Sequence, residues 1–476
     1  MEAAVRPVHR LLAPALLLFF PLSSGAQTLN GRFLDAAIDS VVAAHMEDGR
    51  VAGLSVAVAR GGDLLHHESY GYADVGLRVQ TPLDAVFEIG SVTKQFTSVM
   101  VLQLVEEGKL DLDEDIRTYL PDFDTGGRVV PLRRLLDHSS GMKGYTEMPV
   151  FGGMMVQALP RDSLVTLIEN AAWDFEPGEA VIYNNSAYFL VGLILEAVTE
   201  KRYEDLVEER IFEPLGMERS LYCSNTTVVE DRAHGYDAAP DGLRRARYLD
   251  HRWPYSAGSL CSTARDLIRW NQALHGGEVL SAEMYELLVT PEALNDGTMI
   301  RYAKGVGHDH GVHGEIIAHG GGINGFLSDG RYYPDEALTV VVLQNTTGPS
   351  GPSAVAAGVV DLLLPKESEP QAVPFSGRLD ALTGTYRGPS RGRPLQAAFA
   401  LEAGALSASL NGSEESQALT HIGSGIFVAS DDPWGPRVWF VDGEGRVVGT
   451  PGSAAPVEAR FDTGGGHNVL ARQPEG

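Results

Sequence analysis

Ile89-Gly90-Ser91-Val92-Thr93-Lys94 runs without a break into the apolar stretch Gln95-Phe96-Thr97-Ser98-Val99-Met100-Val101-Leu102-Gln103-Leu104-Val105. Residues that are apolar almost all round a 3.6-residue period form a helix that sits inside a domain rather than on its surface. On such a helix, positions i and i+3 share a face. Ser91 and Lys94 therefore meet at its N-terminus, where unpaired N–H groups and the helix dipole favour negative charge. That setting suits a serine nucleophile. The spacing alone is cheap: a chain of 476 residues yields roughly one or two Ser-x-x-Lys matches by chance. Ser140-Gly141-Met142-Lys143 is such a decoy, because Gly141 and Gly144 point to a loop.

Upstream of this helix, Phe33, Leu34, Ala37, Ile38, Val41, Val42, His45 and Met46 recur at helical spacing and predict an amphipathic first helix. Leu54 to Arg60, the turn Gly61-Gly62-Asp63, and Leu64 to Tyr70 predict a β-hairpin. Downstream, Gly108 ends the Ser91 helix as a C-cap glycine does, and the acidic turn from Asp111 to Asp115 reads as solvated surface. Pro131 to Leu136, Arg161 to Glu169, Ala187 to Thr199 and Tyr203 to Ile211 carry helical signals. Ser262-Thr263-Ala264-Arg265-Asp266 has the Ser/Thr-x-x-acid pattern that caps a further helix. Glu315 to Ala318, Gly325 to Tyr333 and Leu338 to Leu343 are short β-like runs, and Ala354 to Leu364 reads as a closing helix. Strands early and late with helices between them imply an α/β (α+β) fold, in which an antiparallel sheet assembled from both ends of the domain is flanked by helices and the insertion forms a helical lobe.

The length suggests two or three domains. Residues 365–378, polar and punctuated by Pro365, Pro370 and Pro374, read as a linker after a domain over residues 27–364. In residues 379–476, Leu382 to Tyr386, Leu406 to Leu410, Gly425 to Val428 and Arg437 to Val441 are strand-like, and the turn from Asp442 to Gly445 leads into Arg446-Val447-Val448. This tail is expected to be a small all-β domain, a barrel being one such form, without a catalytic constellation.

A formal net charge of −26 with no offsetting basic run argues against a nucleic-acid or anionic-membrane surface and favours a soluble protein with neutral or cationic partners, the expected partner being a small-molecule or peptide substrate. Arg6 and Arg10, the apolar stretch from Leu11 to Leu22, and Ser23-Ser24-Gly25-Ala26 match a secretory signal peptide over residues 1–26. Export to the periplasm or beyond is expected, with no membrane span after cleavage. Cys223 and Cys261 are the only cysteines. In an oxidising compartment they can pair, the alternative being inert buried thiols.

A serine nucleophile needs a proton acceptor, an oxyanion site and something to hold the substrate. Tyr183-Asn184-Asn185 follows the turn-like Glu176-Pro177-Gly178-Glu179 and precedes a helix, on a loop that can project side chains. Either Lys94 favours the Tyr183 phenolate, or Tyr183 holds Lys94 neutral as the base. Ala318-His319-Gly320-Gly321-Gly322-Ile323 follows a strand-like run, and its glycines let a substrate backbone approach. His319 could orient substrate or move a proton near neutrality. A metal reading rests on His308, Asp309, His310 and His313 with Glu315, but no partner set with clear spacing supports it, and no cofactor is called for.

Ser91-Val92-Thr93-Lys94, Tyr183-Asn184-Asn185 and His319-Gly320-Gly321, in that order, resemble the three motifs S-x-x-K, Y-x-N and [K/H]-[T/S/G]-G of the serine β-lactamase-related enzymes, which include class C β-lactamases, DD-peptidases, D-aminopeptidases and related esterases. Leu135 to Met142, Pro214-Leu215-Gly216-Met217 and Ala257-Gly258-Ser259-Leu260 look familiar from the same group, and the resemblance spans residues 30–364. It implies that Ser91 forms an acyl-enzyme on an amide or ester, with Lys94 and Tyr183 sharing the base work. Asn185 would bind the substrate's amide, Gly321 and Gly322 would line its path, and the N–H groups of Ser91 and Gly322 would form the oxyanion hole. His138 belongs to a structural motif. His319 stands where class C β-lactamases usually carry lysine, which turns the expectation toward D-peptidases and D-aminopeptidases. A penicillin-binding or sensor-type protein that acylates without efficient turnover is the alternative.

Overall fold

The computed structural model describes residues 31–47 and 50–474. The expected signal peptide lies outside them. Seven strands form one antiparallel sheet in the order Val79–Gln80, Asp63–Asp74, Gly53–Arg60, Leu338–Gln344, Phe326–Tyr333, Gly314–Ile323 and Gly307–Gly311. Its centre joins the two ends of the domain, with Val56 opposite Val342 and Val58 opposite Val340. Alternation along these strands sorts their side chains onto two faces. Val56, Val58, Val340 and Val342 pack on Leu34, Ile38 and Val42 of helix Gly31–Met46 and on Val355 and Val359 of helix Pro352–Leu363. Ala57, Ala59, Val341 and Leu343 face the other core, with Phe96, Leu267 and Trp270. Phe33 falls off the buried face of the first helix and is 68% exposed, since that face is set by Leu34, Ile38 and Val42.

Helix Thr93–Glu106 lies at the heart of the helical lobe, with every residue from Thr93 to Leu102 buried. Phe96 stacks on Trp270, ring centroids 4.1 Å apart. Gly108, at φ +68°, ends the helix in the left-handed conformation that a side chain would strain. The expected cap of the later helix is present: Thr263 Oγ1 accepts from the Asp266 N–H at 3.1 Å ahead of Ala264–His275.

Several boundaries differ from the sequence reading. The strand expected to stop at Ala318 continues through the glycines to Ile323. On one side it pairs with Phe326–Tyr333 to its end, whereas Gly307–Gly311 covers only Gly314 to Ala318 on the other. Residues 319–323 therefore present a free edge. His308 and His310, two residues of the metal reading, sit on strand Gly307–Gly311. His308 bonds Glu315, His310 bonds Glu367 and His313 bonds Asp361, three separate pairs. Two small sheets were not anticipated: Phe87–Glu88 with Leu260–Ser262 and Leu221–Tyr222, and Tyr236–Ala239 with Gly242–Arg245 and Thr346–Thr347. Cys223 and Cys261 form a disulfide beside the first of these.

Residues 365–378 carry neither helix nor strand. Beyond them, eight strands from Gly384 to Arg472 close into a barrel. Tyr386, Phe399, Phe427 and Phe440 fill its interior. Leu379–Leu382 is a short helix, so the first barrel strand starts at Gly384 rather than Leu382. Arg446 to Val448 do not form the expected strand, because the Asp442 carboxylate accepts the N–H groups of Glu444, Arg446 and Ala454 and curls this segment into a turn. The barrel is joined to the catalytic part by a backbone exchange: Val181 N–H donates to His467 O at 2.9 Å and His467 N–H to Val181 O at 2.8 Å. Ion pairs Arg301–Asp462 and Arg460–Asp296, each at 3.0 Å, flank it. Among the described residues, no helix is long and apolar enough to cross a membrane.

Candidate active site

Ser91 sits on the single 3-10 turn Gly90–Val92, which feeds directly into helix Thr93–Glu106. The turn is pressed against the glycine-rich strand. A Cβ on Gly90, whose φ is +52°, would lie 2.8 Å from Gly322 N, and one on Gly321 would lie 2.0 Å from Ile89 O. Glycine at both positions permits a backbone-on-backbone approach that any side chain would push apart. Ser328 Oγ donates to Ile89 O at 2.8 Å and fixes the same contact from the neighbouring strand. Ser91 and Gly322 consequently line one cavity of about 110 Å³, walled also by Tyr145, Phe151, Leu249 and Pro254.

Lys94 is wholly buried. Its Nζ lies 2.8 Å from Asn185 Oδ1, 2.8 Å from Ala257 O and 3.2 Å from Ser91 Oγ. Burial, then the Arg391 guanidinium, holds its pKa well below the usual lysine range, with Glu147 opposing. The two carbonyl oxygens can only accept. They use both N–H groups of a neutral amine and leave its lone pair toward Ser91 Oγ.

Asn185 opens helix Asn185–Thr199, and Asn184 caps it by accepting from the Ala187 N–H at 3.0 Å. Asn185 Nδ2 donates to Thr146 Oγ1 at 3.1 Å, which fixes the amide so that its oxygen faces Lys94. Tyr183 lies under Lys94, its ring centroid 4.7 Å from Nζ. Its hydroxyl is shut off from solvent and makes no hydrogen bond of ordinary geometry. Burial pushes this phenol up, and the nearby Ser91 hydroxyl and Arg391 guanidinium pull only partly against it. His138 packs on Tyr183 at 4.3 Å between ring centroids, and its Nδ1 accepts from the Asn184 N–H at 3.2 Å, so it braces the Tyr-Asn-Asn segment. The decoy lysine, Lys143, pairs with Asp174 at 2.9 Å in a loop.

His319 departs from the expectation of near-neutral titration. It is 8% exposed, with Nδ1 2.5 Å from Gly320 O and Nε2 2.9 Å from the Tyr302 hydroxyl. Burial, then Lys94, takes its pKa down to about 3. It is a neutral ring with both nitrogens engaged by the fold, and it carries no charge to a substrate.

The cation that sequence reasoning missed comes from the barrel. Arg391, on the loop between strands Gly384–Gly388 and Leu395–Glu402, stands 4.9 Å over the Tyr183 ring centroid. Its Nε donates to Glu147 Oε1 at 2.7 Å. The one signal available was compositional: Arg387, Arg391 and Arg393 cluster in an acidic chain. Among the described residues, no group of three or more His, Cys, Asp or Glu side chains could hold a metal ion.

A lysine against a serine on a buried helix, with an Asn amide and a tyrosine around them, matches the family whose sequence profile is described as Beta-lactamase, over residues 38–364. The chain belongs to the beta-lactamase family. It is 29% identical to a D-aminopeptidase of Brucella anthropi over 364 residues, covering 74% of this chain and 68% of that one. The D-amino acid amidase of Ochrobactrum anthropi SV3 superposes with a TM-score of 0.59 at 26% identity, over 69% of this chain and 99% of the amidase. The octameric penicillin-binding protein homologue of Pyrococcus abyssi shares the fold over 91% of this chain and 99% of its own, with a TM-score of 0.62 and 22% identity. Beta-lactamase-family relatives thus include enzymes named for D-amino-acid substrates, and this chain is a serine hydrolase of that family with a barrel appended.

Proposed function

We propose that the protein hydrolyses amide or ester bonds of D-amino-acid substrates through an acyl-enzyme on Ser91. The observation that carries this is the buried Lys94 amine, whose Nζ lies 2.8 Å from both Asn185 Oδ1 and Ala257 O and 3.2 Å from Ser91 Oγ. In this reading Lys94, rather than Tyr183, is the base that removes the Ser91 proton as Oγ attacks the carbonyl carbon. Tyr183, held protonated by burial, is placed to pass a proton to the departing amine or alkoxide. The N–H groups of Ser91 and Gly322 receive the oxyanion, a contribution of about 3 kcal/mol per donor in comparable sites. Asn185 meets the substrate's amide, and the apolar walls from Tyr145, Phe151 and Leu249 take its side chain. A water then opens the Ser91 ester by the reverse proton route. The names of the D-aminopeptidase and the D-amino acid amidase support the choice of D-amino-acid substrates.

The test is a panel of a D-alanyl amide, a β-lactam and a short-chain aryl ester, with mass spectrometry of the intact protein. An acyl adduct on Ser91 and repeated turnover of the D-amino-acid amide are expected. No adduct with any member would defeat the mechanism, and an adduct that never turns over would leave a penicillin-binding protein instead. Export is part of the same proposal. The basic, apolar and small-residue order of residues 1–26 supports it, as does the Cys223–Cys261 disulfide. N-terminal sequencing of the mature protein from the extracytoplasmic fraction checks it, and a chain still starting at Met1 would count against it.

A further inference from the structure

In a site whose motif histidine carries no charge, something else must supply a cation if the substrate carries an anion. Two observations single out Arg391. The first is its fork. Among the described residues, the guanidinium donates only Nε, in the bond to Glu147 Oε1, and its two terminal nitrogens make no hydrogen bond. Glu147 is held in turn by the Thr146 hydroxyl at 2.8 Å, and its side chain is 10% exposed against 51% for Arg391. A nearly buried carboxylate therefore pins one edge of an otherwise open guanidinium. The pinned edge fixes direction, and the open edge has the planar two-donor geometry that matches a carboxylate. The second is location. The same group lies over the ring of Tyr183, and Thr146, next to Glu147, bonds Asn185, which contacts Lys94. The guanidinium thus borders the site on its Tyr183 side, and Thr146, beside its partner Glu147, lines the cavity that Ser91 lines.

We propose that Arg391, carried into the cleft by the barrel, anchors a free carboxylate on the substrate, and that Glu147 is the positioning residue that aims it. The preferred substrates are then acyl-D-amino acids and D-peptides bearing a free carboxylate rather than their neutral amides or esters. Glu147 is a carboxylate beside the site that could take a substrate ammonium, and Arg391 already pairs with it. An ammonium anchor is disfavoured by the same pair. This inference rests on the serine-hydrolase reading above.

The experiment compares N-acetyl-D-alanyl-D-alanine with its C-terminal carboxamide. Relative kcat/KM is measured for the full chain and for the variants Arg391→Ala, Arg391→Lys and Arg393→Ala. Should neither compound be cleaved, the same pair is scored by inhibition constants against a neutral aryl ester. The full chain should favour the acid by roughly 10- to 100-fold, the range of a hydrogen bond to a charged group. Arg391→Ala should bring the ratio near one, Arg391→Lys should leave it intermediate, and Arg393→Ala, on the same exposed loop, should retain the full ratio. Glu147→Gln should lower the acid preference through KM, with kcat for the acid little changed. An unchanged ratio in Arg391→Ala, or a preference for the carboxamide in the full chain, overturns the proposal while leaving the serine mechanism standing. A chain that never acylates at Ser91, even with the aryl ester, fails at the earlier step.

Discussion

The two walls of the cleft are built on opposite principles. One is the contact between the Ser91 turn and strand Gly314–Ile323, where Gly90 and Gly321 let backbone touch backbone and nothing can shift without collision. The other is a barrel loop whose single functional side chain, Arg391, is half exposed and rests on one ion pair. With one partner half in solvent, that pair is screened and contributes less to stability than a fully buried pair would. The first wall thus holds the chemistry at fixed distances, and the second can change without disturbing it. Within one fold, reaction and selectivity have been assigned to different domains with different stiffness.

Removing the nucleophile gives the sharpest view of the first wall. Ser91→Ala should lower kcat by about 10⁴-fold or more and abolish the mass adduct, with Lys94→Met close behind at about 10³-fold. Gly321→Val tests the wall rather than its reagents. The added atoms meet Ile89 O and the Ser328 hydroxyl, so kcat should fall at least about 10²-fold. Thermal melts should report a loss of about 1–3 kcal/mol, as overpacking usually costs. If Gly321→Val keeps full activity, the contrast between a rigid and an adjustable wall is lost.

Smaller effects come from protons. Lys94 is active as the neutral amine, the form present above its pKa. With that pKa held well below the usual range, kcat/KM should rise with pH along a limb whose midpoint lies well under 10.5. Tyr183→Phe should leave that limb in place if lysine is the base. Stability has its own pH signature. His275 and His319 are held down to about 3 and His467 to about 4, against 6.5 when unfolded. Between those values the unfolded chain binds more protons than the folded one. Stability is therefore full above about pH 6.5 and drains away as pH falls toward these lowered values, which urea titrations at several pH values would trace. Least of all, Phe33→Ser should move stability by no more than about 0.5 kcal/mol, because that ring already lies in solvent.

The sequence disclosed the wall around Ser91 far better than the one that carries Arg391. Ser91, Lys94, Tyr183 and Asn185 could be named because each sits in a short contiguous pattern with its own local reason, a helix start or a turn before one. The early and late strands were legible because Val56, Val58, Val340 and Val342 are β-branched and evenly spaced. Gly320 to Gly322 have no side chains to show a period, so the strand-like run ended at Ala318 in the sequence although pairing with Phe326–Tyr333 carries the strand on to Ile323. Strands of two to four residues, such as Phe87–Glu88, are too short for any period to show. Charge at His319 could not be judged without the Tyr302 hydroxyl and the burial around it. Arg391 was beyond reach for a simpler reason. Its partner Glu147 is 244 positions away, and nothing local to either residue names the other.

The paired backbone bonds between Val181 and His467 lie two residues ahead of Tyr183. A single melting transition for the barrel and the catalytic half, rather than two, is the expected result in calorimetry. A chain truncated at residue 364 would strip the Tyr183 segment of its outer support, and its expected fate is an impaired hydrolase, not a smaller one with relaxed taste. Selection acting on the barrel for better recognition must therefore also keep the catalytic half folded. The appendage is held to its sequence from both sides.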